Sequence, residues 1–474
     1  MAKTGTTTAT RGKRPVVVKA RKAGPALGNT AGATKWLLDR VNVEQTSLTR
    51  ITKDVLKLDR MVELMDLLDN PHHAFKSVHV AGTKGKGSTC EMTTAALAGC
   101  GYTVGLYTSP HLVDLRERFR IGPNKISPSD FCVYLHRVAK AAAGLERKFG
   151  PATYFEILTA AALVHFAEQA VDFAVVEVGL GGRLDSTNVI HPEVAAITAI
   201  HLEHTQILGD THEKIAREKA GIMKSGVKTL TINQKPEVLT VFREAAAAAE
   251  SPFQVVGQDI EFTSRFEANP ELGQHHRVCL TTPRSNFEHI AVPLKGEHQA
   301  HNCGLVLAII DALRDRGHTL PDQGVAQGLA GTSTMGRLEL VHRAPRILID
   351  GAHTPESIQA LLRAIGTHMK YDNLIIVFGC SADKDVPGML GKLAGGADKI
   401  VFTRSSGSAR AAEPRDLQKK FAELSGKQTQ AAASIKDAIN LAAKAAQRGD
   451  LIAVTGSFYV AGEAKRLIMK KLSS

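Results

Sequence analysis

The sequence predicts an α/β protein. A central domain carries a P-loop on a mostly parallel sheet, and a smaller Rossmann-like α/β domain follows at the C-terminus. Three observations predict this. Short apolar runs alternate with helical stretches, the pattern of parallel sheets covered by helices on both faces. One such run, Ser77–Ala81, enters a glycine-rich turn at Gly82–Thr89, and Ser88–Gly99 then reads as a helix. The alternation restarts after residue 296, which divides the chain in two.

Composition narrows the function classes. The chain has 474 residues, 43% apolar and 22% charged, enough for two or three cores. No run approaches the roughly 18 apolar residues that a membrane span needs, so no membrane partner is expected. The net charge of +12 looks like a nucleic-acid signal until it is mapped. Residues 1–38 hold eight of the positives (Lys3, Arg11, Lys13, Arg14, Lys19, Arg21, Lys22 and Lys35) and no acid. The body keeps about +4, so a nucleic-acid partner is not expected. Residues 1–34 read as a basic, disordered tail without the apolar segment of a secretory signal. A cytoplasmic location is expected, with organelle import through that tail left open. Six cysteines without paired spacing read as reduced thiols.

The first domain is expected over 35–296. Thr34–Asp69 has helical spacing at Leu56, Met61, Leu64, Met65 and Leu68 and closes at Asn70-Pro71. Further strands are expected at Thr103–Tyr107, Phe173–Val178 and Val194–Ile200, with a helix at Glu156–Gln169. Residues 251–295 have short alternating runs with Pro and Gly and read as an antiparallel addition. A boundary is expected near Lys295-Gly296. The second domain, 297–474, opens on a helix at Asn302–Arg316. Its strands are expected at Arg346–Ile349, Leu374–Phe378, Lys399–Phe402 and Leu451–Val454. Each ends in a polar or Gly-rich turn, where open α/β sheets place ligand groups.

Gly82-Thr-Lys-Gly-Lys-Gly-Ser-Thr89 is the strongest local signal. Glycines let consecutive amides turn toward one anion, and the following helix start adds its dipole. Lys86 supplies a point charge for terminal phosphates. The loop has two residues fewer than the general pattern, and Gly87 stands between Lys86 and Ser88. Glu177 follows Phe-Ala-Val-Val, so it ends a buried strand and needs a partner or a cation.

Other motifs keep a fixed order along the chain: Tyr107-Thr-Ser-Pro-His-Leu112, Tyr154-Phe-Glu156, Glu177-Val-Gly-Leu-Gly-Gly-Arg-Leu-Asp185 and Glu218-Lys-Ala-Gly-Ile222. Gly296-Glu-His-Gln299 with Asn302, Gly336-Arg337, Asp350-Gly-Ala-His353, Asp383-Lys-Asp385 and Thr455-Gly-Ser457 follow. With the glycine loop, they resemble the folylpolyglutamate synthase and dihydrofolate synthase family of the Mur ligase superfamily, from about Trp36 onward. Four departures stand out. Lys84 replaces the usual Asn, Glu203 replaces Asp in His201-Leu-Glu-His-Thr205, Thr354 replaces Asn, and the Trp before Gly336-Arg337 is absent.

The resemblance implies an ATP-dependent ligase with an ATPase central domain. It would join L-glutamate to dihydropteroate or a reduced folate through an acyl phosphate. Gly82, Thr83, Gly85, Lys86, Gly87, Ser88 and Thr89 would hold the ATP phosphates. Asn302, Arg337, Asp350 and His353 would complete the nucleotide site. Ser109, Glu177, His204 and Lys219 would hold two Mg²⁺ ions, with Lys219 carbamylated by CO₂. Lys86, Lys219, His204 and Arg337 would be catalytic. Phe155, Glu156, Arg183, Leu184 and Asp185 would contact the pterin-bearing substrate. A monomer is expected. The competing readings are another Mur-type amino-acid ligase with a different carboxylate substrate, or a nucleotide-regulated nucleic-acid binder using the tail.

Overall fold

The computed structural model describes residues 29–42 and 57–472. Eight strands form the first sheet: β1 (Lys76–Ala81), β2 (Val104–Tyr107), β3 (Phe119–Ile121), β4 (Asn124–Lys125), β5 (Phe173–Glu177), β6 (Val194–Ile197), β7 (Lys228–Ile232) and β8 (Phe253–Val256), in the order β4-β3-β2-β5-β1-β6-β7-β8. From β2 to β8 every pair is parallel, and β3 and β4 add an antiparallel edge. β5 is buried on both faces, which is why it reads as an unbroken apolar run. Three antiparallel strands, β9 (Glu261–Asn269), β10 (Gly273–Thr281) and β11 (Asn286–Ala291), make a small separate sheet.

The last sheet holds β12 (Glu339–Arg343), β13 (Arg346–Ile349), β14 (Leu374–Phe378), β15 (Lys399–Phe402), β16 (Thr429–Ala431) and β17 (Leu451–Thr455). Its order is β12-β13-β17-β14-β15-β16, parallel except for β12. Helices cover both faces of each large sheet, as buried parallel sheets require. Among the described residues no helix is long and apolar enough to cross a membrane.

The helix Lys86–Gly99 starts on Gly85, whose φ of 92° lies in the left-handed region. Tyr154–Glu168 starts on a capping box in which Thr153 and Glu156 satisfy each other's backbone amides. It runs through the core beside β2 and β5, buried almost all round.

Several expectations need correction. Among the described residues the helical reading of Thr34–Asp69 is met by two helices, Thr30–Leu38 and Asp59–Leu67. Residues 43–56, with Leu56, lie outside the described residues, as does the tail through residue 28. β6 ends at Ile197, not Ile200, because Ala199 turns to accept amides from the glycine loop. β8 joins the first sheet in parallel, so the antiparallel addition begins only at β9. The helix Glu297–Asp315 starts five residues before the expected Asn302 and belongs to the core of the first sheet. Asp322–Ala330 packs against Lys86–Gly99 so closely that Gly328 meets the Ala95 backbone. On packing we therefore place the division after Gly331 rather than at Lys295-Gly296.

Ile376 sits at the centre of β14 with no exposure. Ile376→Ala should cost about 2–5 kcal/mol, read as an earlier urea midpoint for the second unit.

Candidate active site

The loops that follow β1, β2, β5 and β6 face those that follow β13, β14 and β17 across one cavity of about 670 Å³. The strand ends of both sheets therefore meet, which is where open α/β sheets bind ligands.

The glycine loop is pinned to the end of β6. The Thr83 and Lys84 amides both donate to Ala199 O, at 2.9 and 3.2 Å. Gly82 has a φ of 141°, and a Cβ there would strike Thr198. A Cβ at Gly85 would strike Asn302, and one at Gly87 the Arg337 guanidinium. The helix that follows has no side-chain cap and no acid in its first turn. Its first amides have no intrahelical acceptor and open on the cavity with Lys86, Gly87 and Ser88. Ser88 Oγ accepts from Gln299 Nε2 at 3.2 Å, and Gln299 Oε1 accepts from Asn302 Nδ2 at 2.9 Å. Thr89 lies one step inside, buried and out of the cavity.

Glu177 stands at the end of β5, beside this loop. Its Oε2 accepts from the Ser109 amide at 3.1 Å, and Lys86 Nζ lies 3.9 Å from Oε1. Burial raises the Glu177 pKa, partly offset by Lys86 and the Ser109 amide. His204 follows β6 with a left-handed backbone, φ 53°. Burial lowers its pKa to about 3, so the imidazole is neutral and free to act as a ligand. Lys219 lies behind this wall rather than in the cavity lining, 4% exposed. Its Nζ forms no hydrogen bond or ion pair among the described residues. Burial, with Lys86 nearby, lowers its pKa to about 7.

The second unit supplies the facing wall. Asp350 accepts from the Leu338 amide at 3.0 Å and the Ala352 amide at 2.8 Å, which fixes the Gly336–Leu338 turn. Burial raises its pKa to about 6. Arg337 projects from that turn toward Gly87 and Glu177. His353 Nδ1 is held by Gly351 O at 2.7 Å. Thr354 starts the next helix in a capping box with Ser357, so Thr in place of Asn keeps the cap.

The expected pterin-contacting residues divide. Phe155 packs on Gly179 and Tyr107, and Leu184 and Asp185 line the cavity. Asp185 is largely engaged by its own loop, accepting from Leu180 N, Thr187 N and Thr187 Oγ1. Glu156 borders the cavity, but Arg60 Nε donates to both its oxygens at 2.9 and 2.8 Å, and the Thr153 amide adds a further bond. Arg183 is a correction: it pairs with Glu218 at 2.8 Å, 56% exposed and outside the cavity lining. Sequence reasoning left Lys384, Arg410 and Ser457 unassigned, although all three line the cavity. Lys384 lay in the Asp383-Lys-Asp385 motif without a role.

Residues 80–310 match the Mur ligase middle domain, and residues 336–458 match the Mur ligase glutamate ligase domain. A Bacillus subtilis protein named dihydrofolate synthase/folylpolyglutamate synthase is 34% identical over 412 residues, 86% of this chain and 94% of its own. The chain belongs to the dihydrofolate synthase/folylpolyglutamate synthase family. Its Mycobacterium tuberculosis relative of the same name is 35% identical over 440 residues, covering 86% of this chain and 89% of its own. A solved structure of Mycobacterium tuberculosis folylpolyglutamate synthase complexed with ADP superposes with a TM-score of 0.83 at 32% identity, covering 93% of this chain and 98% of that one. E. coli FolC in complex with DHPP and ADP gives 0.79 at 27% identity, covering 95% and 100%.

The Lys219 environment sets a pH dependence. Its side chain is mostly the neutral amine in the fold above about pH 7 but stays a charged ammonium in the unfolded chain up to 10.5. The fold thus bears the full cost of burying the charge below pH 7 and is relieved of it as pH rises toward 10.5. In nucleotide-free, CO₂-free buffer, Lys219→Met should raise Tm most below pH 7. Its gain should shrink toward pH 10.5, as differential scanning calorimetry across that range would show.

Proposed function

We propose that the chain is an ATP-dependent ligase that joins L-glutamate to dihydropteroate or a reduced folate and releases ADP and phosphate. One observation carries this reading most directly. An uncapped glycine loop with Lys86 shares a single cavity with the buried carboxylate Glu177 and with Arg337 and Lys384 of the facing unit.

The chemistry follows from that arrangement. The substrate carboxylate attacks the γ-phosphorus of ATP, the bond to the β-phosphate oxygen breaks, and ADP leaves an acyl phosphate behind. The glutamate amine then attacks the acyl carbon, and phosphate departs with the nitrogen losing a proton. The open amides of Lys86, Gly87 and Ser88 receive the phosphate oxygens, while Lys86 and Arg337 offset charge on the transferring group. Asp350 holds the turn that aims Arg337. Phe155, Leu184 and Asp185 form the wall for the ring system. Lys384, Arg410 and Ser457 offer cations and a hydroxyl for the two glutamate carboxylates. Holding two substrates in line supplies much of the rate.

The residues present also suit magnesium. Among the described residues no three His, Cys, Asp or Glu side chains converge as a ready-made metal cluster. One carboxylate, Glu177, and the Ser109 hydroxyl are nonetheless the sparse oxygen set that Mg²⁺ takes when phosphates and water complete its shell. His204 is neutral, and Lys219 is a buried amine without a hydrogen-bond partner among the described residues, about half of it deprotonated at pH 7 and so able to react with CO₂. Carbamylation would turn it into an oxygen ligand. When bound, the ions would neutralise charge on the transferring phosphoryl group.

ADP release with ATP, Mg²⁺ and glutamate should depend on added dihydropteroate or tetrahydrofolate, and ¹⁸O from the substrate carboxylate should appear in the released phosphate. Lys86→Ala should lower kcat by about 100-fold or more. A folded protein that turns over neither substrate would refute the assignment.

A further inference from the structure

Lys84 and Glu203, both singled out in the sequence as departures from the motifs it resembles, meet in the fold. Lys84 Nζ lies 2.9 Å from Glu203 Oε2. The other carboxylate oxygen accepts from Lys384 Nζ at 3.1 Å and lies 3.0 Å from His353 Nε2. Lys84 and Glu203 sit in loops after β1 and β6 of the first sheet. His353 and Lys384 sit in loops after β13 and β14 of the second. One carboxylate, 10% exposed, therefore joins the two units at the mouth of the glycine loop.

Lys84, His353 and Lys384 all bring their side-chain nitrogens within 3.1 Å of this one carboxylate. Isolated surface pairs contribute little, but this one is shielded and shared among three partners. Without the carboxylate, Lys84 and Lys384 would face each other across the cleft with Lys86 nearby. Like charges partly shielded from water repel strongly. The apolar clusters do not replace the tie, since each lies within one unit apart from Leu112, which packs on the second. A second polar tie joins the units away from the cavity: His368 bonds to Gln274 O at 2.9 Å and accepts from the Gly296 amide at 3.2 Å. That tie can serve as the pivot, and Glu203 as the clasp.

We propose that Glu203, paired with Lys84, is an inter-unit clasp that holds the second unit over the glycine loop before nucleotide binds and sets Lys384 in place for the incoming amino acid. Glu203 is a positioning residue in this scheme. The consequence for turnover rests on the ligase reading; the closure itself does not.

Small-angle scattering of the nucleotide-free full chain tests the closure. Wild type should be compact at about 0.05 M salt and expand at about 1 M, where charge interactions are screened beyond about 3 Å. Glu203→Gln and Lys84→Met should be expanded at both, and Glu203→Asp should stay compact at low salt. The double variant should be no more expanded than Glu203→Gln alone, because both changes open one tie. In turnover, Glu203→Gln should raise KM for glutamate by about tenfold while KM for ATP shifts less than about threefold. Unchanged scattering in both single variants, or strictly additive effects in the double, would overturn the clasp. A lowered Tm with compact scattering and an unchanged glutamate KM would reduce Glu203 to a structural role and also overturn it. Altered scattering in a protein that ligates nothing would keep the clasp and remove the ligase reading.

Discussion

Two amides donating to one carbonyl set the reference frame of this molecule. Thr83 and Lys84 both bond to Ala199 O, so the glycine loop after β1 is tied to the end of β6 rather than left to hang from its own strand. The tie is feasible because Gly82 and Gly85 take backbone angles that other residues avoid and leave no room for a side chain beside Thr198 and Asn302. The helix start then points into the cavity, and Ser88, Gln299 and Asn302 hold it from behind.

Charge balance follows from that frame. Lys84, Lys86, Lys384, Arg337 and Arg410 border the cavity, against Glu177, Glu203, Asp350 and the acids deeper in the substrate end. Asp350 is drawn into bonding its own turn, Glu177 takes the Ser109 amide, and Glu203 takes two lysines. With those carboxylates engaged, Lys86 and Arg337 at the glycine loop are placed to meet phosphate oxygens. Lys219 stands apart as a buried amine that forms no direct ion pair among the described residues, with Glu203 and Asp185 only partly offsetting the cost of its burial.

Much of this was legible in the residues. Parallel strands buried on both faces are unbroken apolar runs, so β1, β5, β14, β15 and β17 could be located from composition, and Glu177 from its place after one of them. Local rules failed where tertiary packing decided. Nothing in the sequence around Glu297–Asp315 reveals that it packs under the glycine loop, so the expected boundary fell too early. Arg183 and Glu156 were read by chemical type, yet their partners, Glu218 and Arg60, lie 35 and 96 residues away. The Lys84–Glu203 contact spans a similar distance in sequence. Each of those residues looked like a blemish in its own motif, and only the fold shows that the two irregularities belong together.

The strand order of the second sheet bears on how the chain comes into being. β17 is the last strand to be synthesised but lies in the middle of its sheet, between β13 and β14. The first sheet has all eight of its strands by Val256, whereas the second lacks its centre until Thr455 has left the ribosome. A nascent chain can thus assemble the nucleotide-cradling wall early, while the opposite wall closes only in the final moments of translation.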